Sequence, residues 1–406
     1  MLNLIYLSIF FLNTVQNAFA WGTYGHTEIA GAAVHLLAEQ NHPLAKFLQR
    51  NLATVKRVAM TPDVDWKDAP LAPKGGYRNV KNKITFAEEG LHYFEVDAFL
   101  HFGGDENAVI QLPSDSYDKS VARYQALLRD NVAYVFEFDR NQSNPEAYGT
   151  APWRILQIYD LSVSALREGA SARALFLLAL MTRYVGDLAG PLNTTLNFDG
   201  RHYPIPATGV YAAFEGHIFE GFANSASTSS SGVQDEAIFA LGRKGMDGVI
   251  RARVIPEILR LVNSGYHYIG PLLKTFSDQC GHAHGRGLAS AERENVKKAG
   301  KLKQEPLFCE PPIEQASARE LIRNFSNSIV RQVIDHDPQE LTVLDIAAER
   351  LGEAAALSAR LWAAAYNEAG RPSVANSSVN FEDLAVRENY ISPNYLTSRP
   401  TRGFGR

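Results

Sequence analysis

Apolar side chains recur at helical spacing along most of this chain. Ile29, Ala33 and Leu36 follow one another at intervals of four and three residues, which places them on one face of a helix. Alternation of apolar and polar residues, the sign of a half-buried strand, is scarce. We therefore predict an all-α fold. The same helical pattern recurs over residues 156–166, 175–180, 235–274 and 317–368.

The stretches between these patterns indicate a single helical domain. Residues 68–85, 193–208 and 277–312 carry the prolines, glycines and polar side chains typical of loops. With 46 % hydrophobic and 21 % charged residues, the 406-residue chain has ordinary globular composition. Nothing in it requires a second domain. We predict one multi-helix domain over residues 21–370, followed by a polar C-terminal tail over residues 371–406.

The first twenty residues are predicted to be a cleaved signal peptide. They contain no charged side chain, and Leu4–Leu12 is too short to span a bilayer as a lasting helix. Ala18 and Ala20 place small residues at the two positions that a signal peptidase inspects, so cleavage would fall before Trp21. A retained N-terminal anchor helix is the alternative, because the segment lacks the usual Lys or Arg. The expected location is secreted or periplasmic, with no stable membrane span after processing.

Charge and cysteine content limit which partners the protein can bind and which covalent cross-links it can form. Forty basic residues against 44 acidic ones give a net charge of -4, so no overall positive field points to duplex nucleic acid or an anionic membrane. The chain has two cysteines, Cys280 and Cys309. In an exported protein we predict one disulfide between them, worth about 3 to 4 kcal/mol on the chain-entropy model. Two unpaired thiols are the alternative.

Residue types that bind metals lie at the expected N-terminus and at three later points. Cleavage before Trp21 would free an α-amine that can chelate a metal together with the adjacent carbonyl oxygen, and His26 follows one helical turn into the chain. Each of these residues alone is more often simply packed or paired, so only the set carries an argument. The later members are Asp63 in Thr-Pro-Asp, His92 in Leu-His-Tyr-Phe and Asp187 in Arg-Tyr-Val-Gly-Asp-Leu-Ala-Gly-Pro-Leu-Asn.

Taken in order, these residues resemble the zinc-dependent phospholipases C and the fungal and plant single-strand nucleases. Members of that family begin, once processed, with Trp-Gly and a nearby His, and later carry His-x-x-Gly-Asp-x-x-x-Pro-Leu-His. The matching segment here is Arg183–Asn193, and the family's closing pair, a His and an acid four residues apart, falls on Tyr211 and Glu215. The resemblance runs from Trp21 to about residue 220, including a Pro-Trp-Arg-Ile segment at 152–155 like that of bacterial members. It implies a multi-helix fold of the phospholipase C and nuclease type.

The family's site holds three zinc ions, and the resemblance implies a set of ligand positions for each. The positions for the first ion are the amine and carbonyl of Trp21, His26 and Asp187. Those for the second ion are Asp63, His92, Arg183 and Asp187. Those for the third ion are Asn193, Tyr211 and Glu215.

Three of these positions carry residues that cannot replace histidine. Arg183 has no lone pair and stays protonated, so it would repel a cation. Asn193 and Tyr211 are oxygen donors at best, and a neutral phenol is a poor zinc ligand, so the third ion is expected to be absent. One zinc ion, or two at most, is expected at the remaining positions. In the alternative arrangement no zinc is bound, and Arg183 pairs with Asp187 and Asp63 in place of a metal.

The resemblance implies hydrolysis of a phosphodiester by zinc-activated water, with Asp63 as both ligand and catalytic base. The leading hypothesis is therefore an exported, phospholipase C-like phosphoesterase with a reduced zinc site, acting on a phospholipid or another phosphodiester. The first alternative is a catalytically inactive member that binds a phosphorylated ligand or a protein partner. The second is a nuclease for single-stranded nucleic acid, which needs an aromatic slot for a base.

Overall fold

A computed structural model describes the helical part of the chain in several stretches. These are residues 21–66, 88, 90–96, 149–195, 197–200, 207–219, 238–246, 254–285, 309, 315–334 and 337–393. The predicted signal peptide, the predicted loop 68–85 and the last thirteen residues of the predicted tail lie outside them. Of the described residues 71 % are helical, which confirms the predicted all-α class. No helix within these stretches combines the length and apolar character that a membrane span requires.

The helices of the described chain follow one another with a single hairpin between the last two. They are α1 (Gly22–Glu39), α2 (Ala45–Arg50), α3 (Leu52–Val58), α4 (Ala151–Arg167), α5 (Ser171–Ala189), α6 (Val254–Tyr266), α7 (Ile269–Gly285), α8 (Gln315–Ser326) and α9 (Val343–Glu368). The antiparallel strands β1 (Ile329–Ile334) and β2 (Asp337–Thr342) pair between α8 and α9. Wider helical turns at Pro62–Trp66 and Ala212–His217, and tight ones at Pro191–Thr194 and Glu382–Leu384, complete the elements.

Helix α5 lies at the centre of the fold. Every residue from Ala174 to Ala189 is buried, because α1, α4 and α9 pack around it. The helix ends at Gly190, whose ψ of 114° leaves the helical region. Pro191 follows and cannot supply a backbone N–H to continue the ladder. A helix buried on all sides brings any polar residue it carries into the core, where that residue needs a partner.

The β-hairpin interrupts a stretch that was predicted to be helical throughout. Residues 317–368 form α8, then the hairpin, then α9, so the prediction of one continuous pattern was wrong there. Ile329, Val330, Val333 and Ile334 are β-branched and favour extended backbone, and Pro338 disfavours a helix interior. Helix α9 restarts at a capping box in which Thr342 Oγ1 accepts the N–H of Asp345 at 3.0 Å.

The first part of the predicted loop 277–312 is helical. Helix α7 continues to Gly285 because Leu273, Phe276 and Cys280 are buried at helical spacing. Cys280 is disulfide-bonded to Cys309, with 5.5 Å between the two Cα atoms, which confirms the predicted bridge. Cys309 N–H also donates to the Thr208 carbonyl at 2.8 Å, so the bridge joins α7 to the segment that precedes Tyr211.

The C-terminal segment 371–393 packs along the N-terminal helices. Asn51 Nδ2 donates to the Ser377 carbonyl at 3.0 Å, and Val379 N–H donates to Asn51 Oδ1 at 2.7 Å. Trp66 Nε1 donates to the Val386 carbonyl at 2.6 Å. Since Trp66 ends the helical turn that carries Asp63, these contacts fix that turn against the body of the protein.

Candidate functional site

The residues singled out by the family resemblance meet in one buried group, named here the polar centre. Contacts link all of its members, although they come from five separate parts of the chain. None of their side chains belongs to a residue more than 8 % exposed. The polar centre consists of Trp21, His26, Asp63, His92, Arg183, Asp187, Asn193, Tyr211 and Glu215.

Asp187 is the hub of the polar centre. It lies in the last turn of α5 and is fully buried. His92 Nδ1 lies 2.7 Å from one of its carboxylate oxygens, while His26 Nε2 lies 3.5 Å and Arg183 Nη2 3.2 Å from the other. A buried carboxylate is tolerated only when it is paired or hydrogen-bonded. Here both oxygens have such partners.

Arg183 lies between two carboxylates. Its Nη2 atom is 2.6 Å from Asp63 Oδ2 and 3.2 Å from Asp187 Oδ1, and the side chain is 2 % exposed. Burial opposes its charged form, but the negative charges of Asp187 and Asp63 outweigh burial and raise the pKa of the guanidinium. In the structure, therefore, Arg183 pairs with both Asp63 and Asp187.

The three positions that resemble ligands of a third zinc are bonded to one another. Tyr211 donates its hydroxyl to Asn193 Oδ1 at 3.0 Å, and Asn193 Nδ2 donates to the Asp187 carbonyl at 2.9 Å. Burial, then the charges near it, raise the pKa of the Tyr211 phenol well above its ordinary value, so the phenol is neutral. Burial and the nearby Asp187 likewise raise the pKa of Glu215 well above its ordinary range. The neutral phenol is therefore a poor metal ligand, and burial leaves the charged form of Glu215 in need of a positively charged partner.

Trp21 immediately precedes α1 and anchors it to α5. Its indole Nε1 donates to the Gly186 carbonyl at 2.8 Å, and its main-chain N–H donates to Glu215 Oε2 at 3.2 Å. The ring stands 5.3 Å from that of Phe214, centroid to centroid. Gly186 also allows α1 to pack closely against α5, because a Cβ there would lie 2.7 Å from His26 Nδ1.

Sequence reasoning missed a second buried group next to His92. Tyr184 donates to Glu88, Arg154 Nη2 lies 3.6 Å from the same carboxylate, and His92 Nε2 lies 3.8 Å from it. Arg154 Nη1 also donates to the Ile391 carbonyl at 2.7 Å, which ties the C-terminal segment to the site. The available signal was an arginine inside the apolar helical pattern of α4, where a buried charge demands a partner.

Arg350 of α9 also fixes the end of α5. Its Nε donates to the Ala189 carbonyl at 2.8 Å, and Nη1 donates to Ser264 Oγ at 2.7 Å. The last carbonyls of a helix lack partners within it, and a cation placed there is favourable. Arg350 therefore holds in place the turn that carries Asp187.

The side chains present do not fit a three-zinc cluster. Arg183 takes up the carboxylate oxygens of Asp63 and Asp187 that the second zinc would need, and it brings a positive charge to that position. At the third position a neutral phenol and an amide lie where the resemblance would place two histidines. Within the described stretches, no three His, Cys, Asp or Glu side chains are grouped so as to hold a metal ion.

One edge of the polar centre is less buried than the rest and is aromatic. Tyr211 is 8 % exposed, and its ring stands edge-on to that of Phe198, 5.4 Å away. Phe198 is 44 % exposed, which is unusual for so large an apolar side chain. Tyr93 is partly buried and close enough to Tyr211 to affect the pKa of its phenol. These three residues are named here the aromatic edge.

Comparison with models of protein families, with curated proteins and with solved structures gives no match for this chain. The resemblance to zinc-dependent phospholipases C and nucleases therefore stays a prediction from the sequence.

Proposed function

We propose that this protein is a non-hydrolytic binding protein with the residue framework of a zinc-dependent phosphoesterase, and that it binds a phosphorylated small molecule at the aromatic edge. The observation that carries the proposal is the position of Arg183 Nη2, 2.6 Å from Asp63 and 3.2 Å from Asp187. The phosphodiester hydrolysis expected from the resemblance is the competing hypothesis.

The argument against hydrolysis is one of charge and space. Zinc binds carboxylate oxygens at about 2.0–2.2 Å, so an ion shared by Asp63 and Asp187 would have to displace the guanidinium of Arg183. Moving a buried arginine away leaves it without the carboxylates that compensate its charge, which is costly in a low-dielectric interior. A fixed cation is thus already paired with the two acids that a metal would use. Asp63, engaged in the same ion pair, is poorly placed to act as a base.

The argument for a ligand at the aromatic edge rests on the exposure of Phe198 and the charges behind it. Three carboxyl groups and one guanidinium lie in the polar centre, so a bare phosphate ion would meet acids rather than a cation able to receive it. The rings of Phe198 and Tyr211 offer a surface on which a planar base stacks or a quaternary ammonium group packs. We expect the ligand to enter with that end first and to leave its phosphate toward solvent.

Zinc binding provides the first test. We expect the protein, purified without its first twenty residues and dialysed, to retain below about half an equivalent of zinc per chain and to give no heat on zinc titration, because Arg183 occupies the carboxylates. Phosphatidylcholine, single-stranded DNA and a simple phosphodiester should all remain uncleaved. One equivalent of bound zinc with zinc-dependent cleavage of any of them would overturn the proposal in favour of a hydrolase.

Ligand binding provides the second test. Titration calorimetry with phosphocholine, nucleoside monophosphates and inorganic phosphate should give binding for at least one organic phosphate and none for inorganic phosphate. Phe198→Ala should weaken that binding by about tenfold, the loss of one stacking contact. Ile329→Ala is the matched control, because Ile329 is also an exposed apolar residue, at 58 %, but lies on the hairpin. Equal affinities of the two variants would contradict the assignment of the aromatic edge.

A further inference from the structure

The main-chain nitrogen of Trp21 lies in the protein interior and faces a buried acidic side chain. It is buried with the rest of its residue and points at the carboxylate of Glu215, 3.2 Å from Oε2. Glu215 is 1 % exposed, and no Lys or Arg of the described chain forms an ion pair with it. A buried carboxylate served by neutral donors alone is incompletely compensated.

The backbone conformation of Trp21 also favours a chain that begins at this residue. Its φ of 58° and ψ of 5° are left-handed, a conformation that is costly for a residue with a side chain. The cost arises from contacts with the carbonyl of the preceding residue, and φ itself is defined by that carbonyl carbon. A chain that begins at Trp21 has no such carbonyl and is free of this strain.

We propose that cleavage before Trp21 creates a buried ion pair between the new α-ammonium group and Glu215, and that this pair stabilises the folded state of the processed protein. Hydrolysis of the bond between the Ala20 carbonyl carbon and the Trp21 nitrogen consumes one water molecule. Its oxygen ends in the Ala20 carboxylate, and the released amine is protonated at neutral pH. The neutral donor that faces Glu215 thereby becomes a cation at the same distance.

The new charge has a carboxylate as its nearest polar partner. Trp21 immediately precedes α1, and the N-terminal end of a helix favours a carboxylate such as Glu215 but opposes a cation, so the ammonium group depends on Glu215 for its compensation. In the polar centre Arg183 pairs with Asp63 and Asp187, and the ammonium group pairs with the third acid, Glu215. The inference rests on the proposed function, because a zinc ion bound by the Trp21 amine would compete for it.

The test compares two forms of the protein in metal-free buffer containing a chelator. One begins at Trp21, released from a fusion partner without extra residues, and the other keeps Ala20 in front of it. We expect the form that begins at Trp21 to melt higher by about 5 °C, because only that form has the buried ion pair. In the Glu215→Gln background the same comparison should give a difference of less than about 2 °C.

Glu257→Gln is the matched control. Glu257 is a buried acid as well, but it pairs with Arg260 and Arg360. The Glu257→Gln substitution should lower the melting temperature of both forms equally and preserve the difference between them. A difference between the two forms that survives Glu215→Gln would overturn the ion pair and assign the effect to backbone strain alone. The absence of any difference in the unsubstituted protein would overturn the inference entirely.

Amine reactivity provides a second measurement should Glu215→Gln fail to fold. In the folded form that begins at Trp21, the α-amine should react with an amine-selective aldehyde at least about tenfold more slowly than in urea, because it is buried and protonated. Equal rates would overturn the inference. Neither measurement depends on ligand binding or hydrolysis, so the proposed function and this inference fail separately.

Discussion

Arg183→Met is expected to lower the free energy of unfolding by about 3 to 5 kcal/mol, the loss typical when one partner of a buried ion pair is removed. The substitution keeps most of the side-chain volume but leaves Asp63 and Asp187 close together and buried without their shared cation. Urea unfolding, followed by tryptophan fluorescence and by circular dichroism, measures the change. Coincident curves from the two probes would establish that a two-state free energy applies.

The Asp63→Asn substitution separates this explanation from a packing defect. If repulsion between the two acids is the cause, Asp63→Asn added to Arg183→Met should recover part of the lost stability. Arg243→Met is the matched control, because Arg243 pairs with Glu39 on the surface, where its side chain is 53 % exposed. An exposed pair is worth about 1 kcal/mol or less. A loss at Arg183 no larger than at Arg243 would contradict the role given to Arg183.

Introducing histidine at the three altered ligand positions is expected to create the zinc binding that the unsubstituted protein is proposed to lack. The triple variant Arg183→His, Asn193→His and Tyr211→His removes the fixed cation and supplies imidazole donors beside Asp63, His92 and Glu215. Zinc at 100 to 1,000 times its dissociation constant should then stabilise the variant by about 2.7 to 4.1 kcal/mol, through binding to the folded state alone. Metal analysis after dialysis and thermal melts with and without zinc measure the two effects.

A second triple variant provides the control for the restored histidines. Arg183→Gln, Asn193→Gln and Tyr211→Phe removes the same charge and the same phenol but adds no metal ligand of comparable strength. It should bind no zinc and show no zinc-dependent melting. If the histidine variant also bound none, the interpretation of the polar centre as an altered zinc site would be contradicted, and the resemblance would rest on the order of residues in the sequence alone.

Local patterns predicted much of the fold, and their failures have identifiable causes. The buried face of α1 follows from Ile29, Ala33 and Leu36, because helical periodicity depends on near neighbours only. The hairpin was missed because residues 329–342 lie between two strongly helical stretches. The end of α7 was missed because polar residues 277–285 resemble a loop in composition, although Cys280 continues the buried face.

The site shows a similar division. Its members were predicted from motif order, and all of them meet in the polar centre. Glu88 and Arg154 were missed because their role depends on a contact between segments far apart in the chain. The spacing of residues in the sequence does not predict such a contact. The charge of Arg154 within an apolar pattern indicated that it must have a partner, but it did not identify that partner.

The sequence by itself determined the helical class, the pair of cysteines that can bridge, and the chemical fact that Arg183 cannot bind a metal. These follow from local periodicity, from a count and from the absence of a lone pair. Only the tertiary structure showed that Arg183 reaches both Asp63 and Asp187, since that contact depends on where a side chain of α5 ends in space. It likewise brought Trp21 to Glu215, 194 residues away, because helix packing, which the sequence does not spell out, sets the distance between them.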